Sequence, residues 1–325
     1  MSVILITSKM FSLATEAVAL LESYGHTTRI NLHPDRPLTV QELLTLVKPV
    51  EGMIISDDPI TREVIESAPD LKVISKNGVG VDQIDLRAAT ERAVVVTNTP
   101  GVNANAVADL AIGLMICVAR QIPLVDKLTK QGKWDRMLGV EVWGKTLGIV
   151  GLGHIGRGVA RRAKGFNMRL LGFDVLQDHE FAREVDLKYV DLNTLLQESD
   201  FVSLHVPRTD GTKGLINRHT LSWMKPTAYL INTARGEIVD GEALYEAIRN
   251  KVIAGAAVDV YQDEPPLSDP LLTLPNVVTT SHIGAFSGEA IAEQCMTAAK
   301  NLVEVMGRNF SKAHVVNRDV LSRIV

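Results

Sequence analysis

The chain has 325 residues, which suits two domains of ordinary size. Its hydrophobic content of 46% and charged content of 22% are typical of a soluble globular protein rather than a disordered or membrane-embedded one. The formal net charge of −4 gives no electrostatic reason to expect nucleic acid or an anionic membrane as a partner. Cys117 and Cys295 each lie in an apolar helical stretch, which indicates reduced core thiols rather than a disulfide.

The amino terminus and the apolar runs predict a cytoplasmic protein. Met1 to Thr7 lacks the basic region and the long apolar run of a signal peptide, and we expect a first strand there. The longest apolar run, from Ala106 to Ala119, is interrupted by Asp109 and is too short to cross a bilayer. We therefore expect this run to form a buried helix.

The first hundred residues alternate short β-type runs with helical runs, as in a parallel sheet covered by helices. The predicted strands are Val3–Thr7, Thr27–Asn31, Gly52–Ser56, Lys72–Ser75 and Val94–Thr97. The predicted helices are Phe11–Ser23, Thr39–Leu46, Thr61–Ser67 and Leu86–Arg92. A turn at Asn98–Gly101 predicts the exit from this domain, and one long helix is expected from Ala104 to about Lys130.

A second alternating series begins at Leu147 and predicts a doubly wound sheet of six strands with helical crossovers. The predicted strands are Leu147–Val150, Arg169–Asp174, Phe201–His205, Ala228–Asn232, Gly255–Val260 and Val277–Ser281. Helices are expected near Gly156–Gly165, Leu192–Glu198, His219–Met224 and Gly241–Ile248. The helical tail Glu289–Val305 would then pack back on the amino-terminal domain.

A glycine-rich turn joins the first strand and helix of this second series. Gly151, Gly153 and Gly156 form G-x-G-x-x-G, the turn in which backbone amides and a helix N-terminus hold a pyrophosphate. Asp174 lies 18 residues after Gly156, close to the spacing at which a carboxylate accepts hydrogen bonds from the adenosine ribose. Because that carboxylate would repel a 2′-phosphate, NAD is predicted over NADP. The predicted contacts in the loop itself are Gly151, Gly153, His154, Ile155 and Gly156.

Polar residues at the ends of later strands predict a catalytic group. Arg235 follows one strand, His282 follows the last, and Glu264 lies between them in a turn fixed by prolines. An arginine can clamp a substrate carboxylate and polarise the adjacent carbonyl. A histidine can exchange the hydroxyl proton, and a neighbouring carboxylate fixes its tautomer and raises its pKa. Together the three residues predict interconversion of a carbonyl and an alcohol by hydride transfer.

At this point the chain resembles the D-isomer-specific 2-hydroxyacid dehydrogenases over nearly its whole length. The motifs that carry the resemblance are Asn77–Asp82, Asn98–Asn103, Gly144–Gly156, His205–Pro207, Asn232–Gly236, Asp259–Pro265 and Ser281–Gly284. The resemblance implies that Arg235 orients the substrate, Glu264 supports His282, and His282 is the acid–base. It also implies that the loop containing Asn77, Val79 and Gly80 holds the substrate carboxylate. Further NAD contacts are implied at Pro207, Thr233, Asp259 and Gly284, with Asp259 on the nicotinamide carboxamide.

The resemblance implies an α/β fold in which one domain is inserted into another. A doubly wound Rossmann-type NAD-binding domain, residues 101–286, is expected within a flavodoxin-like α/β substrate domain of residues 1–100 plus 287–325. Trp134 lies in a segment that the family uses as an arm, so a homodimer is expected.

The sequence does not specify which chemical group the substrate carries beyond C2. Within the family, the chain is most similar to phosphoglycerate dehydrogenases and to hydroxypyruvate or glyoxylate reductases. It ends at Val325 without the carboxyl-terminal regulatory domains that many phosphoglycerate dehydrogenases carry. Ile55–Pro59 places Asp57 and Asp58 where members that handle phosphate tend to place Arg or Lys. These carboxylates would repel a phosphate unless Lys76 or Arg62 compensates.

Two other functions share some of these features. Corepressors that sense NAD share the fold and the Arg, Glu and His positions, but the chain shows no added interaction segment. Formate dehydrogenases are expected to carry glutamine where this chain has Glu264.

The position of His205 is equally consistent with a residue that lines the nicotinamide pocket and with a residue that packs in the core. Solvated or capping positions are expected for His26, His33, His179, His219 and His314, and no cluster has metal-ligand spacing.

Overall fold

A computed structural model describes residues 2–31 and 36–324 of the chain, so the solvated position expected for His33 lies outside the described residues. The chain divides into two compact units. One runs to Asn103 and resumes at Ser287, and the other is Ala104–Phe286. The first unit is therefore discontinuous in sequence, and the second is a single segment.

Twelve strands and thirteen α-helices are found in the described ranges. The strands are β1 (Val3–Ile6), β2 (Thr27–Ile30), β3 (Gly52–Ile55), β4 (Val73–Lys76), β5 (Val95–Thr97), β6 (Thr146–Val150), β7 (Arg169–Phe173), β8 (Leu187–Tyr189), β9 (Phe201–Leu204), β10 (Tyr229–Asn232), β11 (Gly255–Val258) and β12 (Val277–Thr279). The helices are α1 (Thr15–Ser23), α2 (Val40–Leu46), α3 (Arg62–Glu66), α4 (Leu86–Glu91), α5 (Ala104–Ala119), α6 (Ile122–Lys130), α7 (His154–Lys164), α8 (His179–Val185), α9 (Leu192–Glu198), α10 (Arg218–Leu221), α11 (Gly241–Arg249), α12 (Gly288–Met306) and α13 (Leu321–Ile324).

The first unit is a parallel five-stranded sheet in the order β2-β1-β3-β4-β5. Strands β3 and β4 are buried at every residue, as expected for strands covered by helices on both faces. One apolar core contains residues of α2, α3 and α4, and the other contains residues of α1 and α12. The carboxyl-terminal helix α12 thus supplies one layer of this unit, and the Ser75 hydroxyl donates a hydrogen bond of 2.8 Å to the Ala298 carbonyl within it.

The second unit is a parallel seven-stranded sheet in the order β12-β11-β10-β9-β6-β7-β8. From β6 the chain builds outward through β7 and β8, then crosses back to β9 and continues in the other direction. The order therefore reverses between β6 and β9, and ligands of such sheets bind beyond the carboxyl ends of the strands at that point. Apolar cores lie on both faces of the sheet.

Two elements differ from the sequence prediction. The sheet has seven strands rather than six, because α8 and the short strand β8 follow β7 and β8 pairs with it at the sheet edge. The predicted long helix is two helices, α5 and α6, with a bend of 64° between them. Gln121 adopts a left-handed conformation at the break (φ 52°), and Pro123 lies in the first turn of α6, where its missing N–H costs nothing.

No single helix in the described ranges is long and apolar enough to cross a membrane. The pair α5 and α6 meets the length and hydropathy criteria only when both helices are counted across their bend.

Candidate active site

The glycine-rich turn between β6 and α7 is shaped by close backbone contacts. Gly151 has φ +93°, and a Cβ there would lie 2.7 Å from the carbonyl oxygen of His205. A Cβ on Gly156 would lie 2.0 Å from the Gly151 carbonyl oxygen. By contrast, the space above Gly153 is open to 4 Å, and this residue precedes the first turn of α7. The turn therefore leaves room for a ligand against the N-terminal amides of α7, which is the arrangement that binds a pyrophosphate.

Asp174 follows β7 directly and is tied to the glycine-rich turn. Its carboxylate accepts hydrogen bonds from the backbone N–H of Leu152 (2.6 Å) and from that of Leu176 (2.9 Å). Arg157, the arginine next to the loop, contacts Asp178 at 2.9 Å and lies 5.0 Å from the centroid of the Phe181 ring. Because that guanidinium already has an acidic partner, the charge at the end of β7 stays negative. These residues fit an adenosine ribose with free hydroxyls better than one with a 2′-phosphate.

Arg235 is presented by a tight turn at the end of β10. The Asn232 side chain braces this turn, since its amide donates to the Arg235 carbonyl (2.9 Å) and its oxygen accepts from the Ala234 N–H (3.1 Å). Gly236 packs against the backbone of Tyr261 so closely that a Cβ would lie 2.0 Å from the Tyr261 carbonyl carbon. The Arg235 turn is therefore fixed against the segment that leads to Glu264.

His282 and Glu264, which the sequence motifs predict to be a catalytic pair, are joined by a hydrogen bond. The Nδ1 of His282 lies 2.8 Å from Oε2 of Glu264, and the other carboxylate oxygen accepts a hydrogen bond of 3.0 Å from the Tyr261 N–H. Because a carboxylate can only accept, Nδ1 carries the proton and Nε2 is left to exchange protons. The hydrogen bond with Glu264 raises the pKa of His282 above its ordinary value, although burial and the charge of Arg235 act in the opposite direction.

Asp259 organises the loop that carries His282. Its buried carboxylate accepts from the Thr280 hydroxyl (2.6 Å) and from the backbone N–H groups of Ile283 and Gly284 (both 2.8 Å). The Asp259 carbonyl accepts from the His282 N–H at 2.8 Å, and His282 itself has a left-handed backbone (φ 54°). The sequence motif assigned Asp259 to the nicotinamide carboxamide. That contact stays a prediction, and the supporting role toward His282 is one the sequence did not indicate.

The remaining cofactor positions follow strands β9, β10 and β12 of the same sheet. Thr233 is buried beside Arg235, and its hydroxyl has no hydrogen-bond partner among the described residues, so it has capacity for a ligand. A Cβ on Gly284 would lie 3.1 Å from the Asp259 carboxylate, which explains the glycine without a cofactor contact. Pro207 is exposed, and its carbonyl accepts from the Thr212 hydroxyl at 2.6 Å. Burial lowers the pKa of His205 to about 3, so this histidine is neutral and hydrogen-bonds Ser203 at 2.8 Å.

In the first unit, the turn after β4 offers unpaired amides. The backbone N–H groups of Gly78, Val79 and Gly80 donate no hydrogen bond to residues of the described ranges. The carbonyl of Gly78 accepts from the Thr99 N–H (3.0 Å), and that of Val79 accepts from the Asn98 side chain (2.8 Å). Consecutive amides without a protein acceptor can bind an anion.

Asn77, which begins this turn, is buried, and its amide donates to the Ser8 hydroxyl at 2.9 Å. Its side chain therefore fixes the turn, and a direct contact with substrate stays a prediction.

Within residues 2–31 and 36–324, no group of three or more His, Cys, Asp or Glu residues is placed to hold a metal ion.

Comparison with known proteins gives a consistent result. The sequence model described as the D-isomer specific 2-hydroxyacid dehydrogenase, NAD binding domain, matches residues 112–284. Glyoxylate reductase of Korarchaeum cryptofilum is 43% identical over 295 residues, covering 88% of this chain and 89% of the relative. D-3-phosphoglycerate dehydrogenase of Methanocaldococcus jannaschii is 41% identical over 306 residues, covering 93% of this chain but 57% of that enzyme. The chain thus spans little more than half of the phosphoglycerate dehydrogenase.

Among solved structures, the TT0316 protein of Thermus thermophilus superposes with a TM-score of 0.87 at 38% identity, covering 94% of this chain and 97% of that one. The match therefore extends over both α/β units. The chain belongs to the D-isomer-specific 2-hydroxyacid dehydrogenases, which are NAD-dependent oxidoreductases acting on the CH–OH group of 2-hydroxy acids.

Proposed function

We propose that this enzyme interconverts a small 2-oxo acid and its D-2-hydroxy acid through Arg235, Glu264 and His282. The observation that carries the proposal is the hydrogen bond of 2.8 Å between His282 and Glu264, on a loop next to the Arg235 turn. This pair gives a histidine that is protonated at Nδ1 and has a raised pKa. Such a group suits proton exchange with the oxygen at C2.

Each residue has a defined role in the proposed reduction. When bound, NADH supplies the hydride that reduces C2. The amides of Val79 and Gly80 bind the substrate carboxylate, and the Arg235 guanidinium holds the carboxylate and polarises the carbonyl. The His282 imidazolium donates its Nε2 proton to the carbonyl oxygen, while Glu264 stabilises the charged ring. In the oxidation, neutral His282 accepts the hydroxyl proton at Nε2.

The cofactor contacts are assigned from the shape of the glycine-rich turn, from the position of Asp174 and from the family resemblance. The pyrophosphate is assigned to the turn Gly151–Gly156, with the amides of His154 and Ile155 in the first turn of α7. The ribose is assigned to Asp174, and further contacts to Pro207, Thr233, Asp259 and Gly284. Accordingly, the second unit is the NAD-binding domain and the first is the substrate domain.

We further propose a homodimer formed through the segment between α6 and β6. This segment exposes large apolar side chains, with Trp134 81% and Leu138 94% accessible and Trp143 also exposed. Exposed apolar side chains in such a concentration are typical of a protein interface. The family resemblance favours a second copy of this chain as the partner.

The proposed chemistry is tested by NADH oxidation at 340 nm with glyoxylate, hydroxypyruvate and 3-phosphohydroxypyruvate. We expect at least one to be reduced, and His282→Ala to lower kcat by about 10²- to 10⁴-fold, the usual contribution of a general acid. NADH binding, followed by fluorescence, should be unchanged. Near-normal turnover of the variant would remove His282 from the acid–base role, and NADH binding without reduction of any 2-oxo acid would contradict the proposed activity.

A further inference from the structure

The peptide groups of the turn after β4 are oriented by hydrogen bonds from the residues that follow β5. The Gly78 carbonyl accepts a hydrogen bond of 3.0 Å from the Thr99 N–H. The Val79 carbonyl accepts one of 2.8 Å from the side-chain amide of Asn98. Because a trans peptide group is planar, its N–H points opposite to its carbonyl. The hydrogen bond to Gly78 therefore sets the direction of the Val79 N–H, and the hydrogen bond to Val79 sets that of the Gly80 N–H.

These two N–H groups are the ones assigned to the substrate carboxylate. Neither donates to another residue within 2–31 and 36–324. A peptide whose carbonyl accepts a hydrogen bond is polarised, and its N–H becomes a stronger donor. The side chain of Asn98 therefore affects the Gly80 N–H in two ways, through its direction and through its strength as a donor.

Asn98 is held in place by the carboxyl-terminal part of the same unit. Its N–H donates to the His314 carbonyl at 3.2 Å, and its carbonyl accepts from the side-chain amide of Asn301 at 2.8 Å. Asn301 lies in α12, is 2% exposed, and accepts from the His314 N–H at 3.1 Å. The segment continues along β5, where the Val316 N–H donates to the Val96 carbonyl at 2.8 Å. The backbone of Asn98 is thus fixed from two sides, and its side chain is directed at the turn after β4.

We propose that Asn98 is a positioning residue for the substrate carboxylate, because its side-chain amide orients and polarises the peptide group that presents the Gly80 N–H. The inference rests on the proposed function, which assigns the carboxylate to the amides of Val79 and Gly80. The charge of this carboxylate does not change when C2 is reduced, so the contact is equally strong in the bound substrate and in the transition state. An interaction of that kind lowers KM and leaves kcat nearly unchanged.

The test is steady-state kinetics with hydroxypyruvate at saturating NADH. Asn98→Ala removes one hydrogen bond and should raise KM about two- to tenfold. Asn98→Asp keeps the shape of the side chain but replaces the donor with a negative charge, so it should raise KM further. In both variants kcat should stay within about twofold of the wild-type value. Asn98→Gln keeps an amide donor on a longer side chain and should have a KM between those of the wild type and Asn98→Ala.

Inhibition by oxamate separates binding from turnover, because oxamate has a carboxylate and a neighbouring carbonyl but is not reduced. Its Ki in the presence of NADH should rise by the same factor as KM, and NADH binding followed by fluorescence should be unchanged. The matched control is Asn309→Ala, which removes an exposed asparagine of the same unit after α12. Its KM and its Ki for oxamate should equal those of the wild type.

An unchanged KM and Ki in both Asn98→Ala and Asn98→Asp would overturn the inference. A parallel loss of kcat, NADH binding and thermal stability, measured by circular dichroism, would also overturn it, because Asn98 would then be a structural residue only. Failure of the wild-type enzyme to reduce any 2-oxo acid with NADH would instead overturn the proposed function on which the inference depends.

Discussion

Replacing Glu264 with glutamine tests how the carboxylate supports His282. Glu264 accepts two hydrogen bonds, from Tyr261 N–H at 3.0 Å and from His282 Nδ1 at 2.8 Å. Glutamine offers one acceptor and one donor in the same shape. If its oxygen faces Tyr261, its amide faces Nδ1 and favours the tautomer with the proton on Nε2. If it is turned round, its amide meets the Tyr261 N–H. In the first orientation the imidazolium loses the acceptor of its Nδ1 proton, and in the second the hydrogen bond from the Tyr261 N–H is lost.

The free energy of the lost hydrogen bond sets the expected fall in kcat/KM. A hydrogen bond to a charged group contributes about 1.5–3 kcal/mol. The side chains of His282 and Glu264 are 47% and 37% exposed, so solvent screening places the cost near the lower end of that range. We therefore expect kcat/KM for reduction at neutral pH to fall about tenfold in Glu264→Gln.

The pH dependence of kcat/KM distinguishes a lowered pKa of His282 from a general loss of structure in the variant. Reduction requires protonated His282, so its rate falls as pH rises through the pKa of His282. Glu264 raises that pKa, so Glu264→Gln should move the fall in rate to lower pH, and the defect should be smallest in acid. Oxidation requires neutral His282, so its rise with pH should begin earlier in the variant.

The assay is kcat/KM for 2-oxo acid reduction by NADH between about pH 5 and pH 9. Asp263→Asn, which removes the exposed carboxylate one residue earlier, is the matched control and should keep the wild-type profile. A uniform loss of rate with an unchanged pH profile in Glu264→Gln would refute the reasoning, because it would show that Glu264 does not set the pKa of His282.

Three further predictions concern the cofactor site and the assembly. Asp174→Ala should raise the ratio of kcat/KM with NADPH to that with NADH, and an unchanged ratio would contradict the assignment of the ribose. Gly156→Ala should weaken NADH binding in a fluorescence titration at least tenfold, because its Cβ would lie 2.0 Å from the Gly151 carbonyl; Gly241→Ala, where nothing lies within 4 Å, should bind normally. Leu138→Asp should convert a dimer into a monomer in sedimentation velocity, whereas a monomeric wild-type protein would exclude the proposed interface.

The alternation of strands and helices was predictable from the sequence, and the exceptions have physical causes. Strand β8 is three residues long and has Lys188 at its centre, so it lacks the apolar run that marks an interior strand. The break between α5 and α6 was marked by Pro123, which cannot occupy a helix interior. Because the apolar periodicity continues on both sides of Pro123, the sequence pattern predicted one continuous helix.

At the site, the sequence predicts which residues carry the chemistry but not which hydrogen bonds hold them in place. The hydrogen bond between His282 and Glu264 could be anticipated, since a histidine after one strand and an acid in a proline-fixed turn suggest a pair. The hydrogen bonds from Thr280, Ile283 and Gly284 to Asp259 could not, because two of their donors are backbone amides that every sequence possesses.

The pairing of charges in the loop after β3 was likewise not predictable from the sequence. The sequence offered both Lys76 and Arg62 as partners of the carboxylates after β3. The structure pairs Lys76 with Asp57 and Arg62 with two glutamates. Charge composition alone does not specify such a choice, because it depends on which side chains the sheet brings within a few ångströms of each other.

The central claim is that Arg235, Glu264 and His282 direct NADH-dependent reduction of a 2-oxo acid to the D-hydroxy acid. The configuration of the product tests it most directly. Hydroxypyruvate should be incubated with the enzyme and NADH, and the glycerate formed should be separated on a chiral column. The account predicts D-glycerate, formed with consumption of one NADH per molecule. Formation of L-glycerate, or of a racemic product, would contradict it.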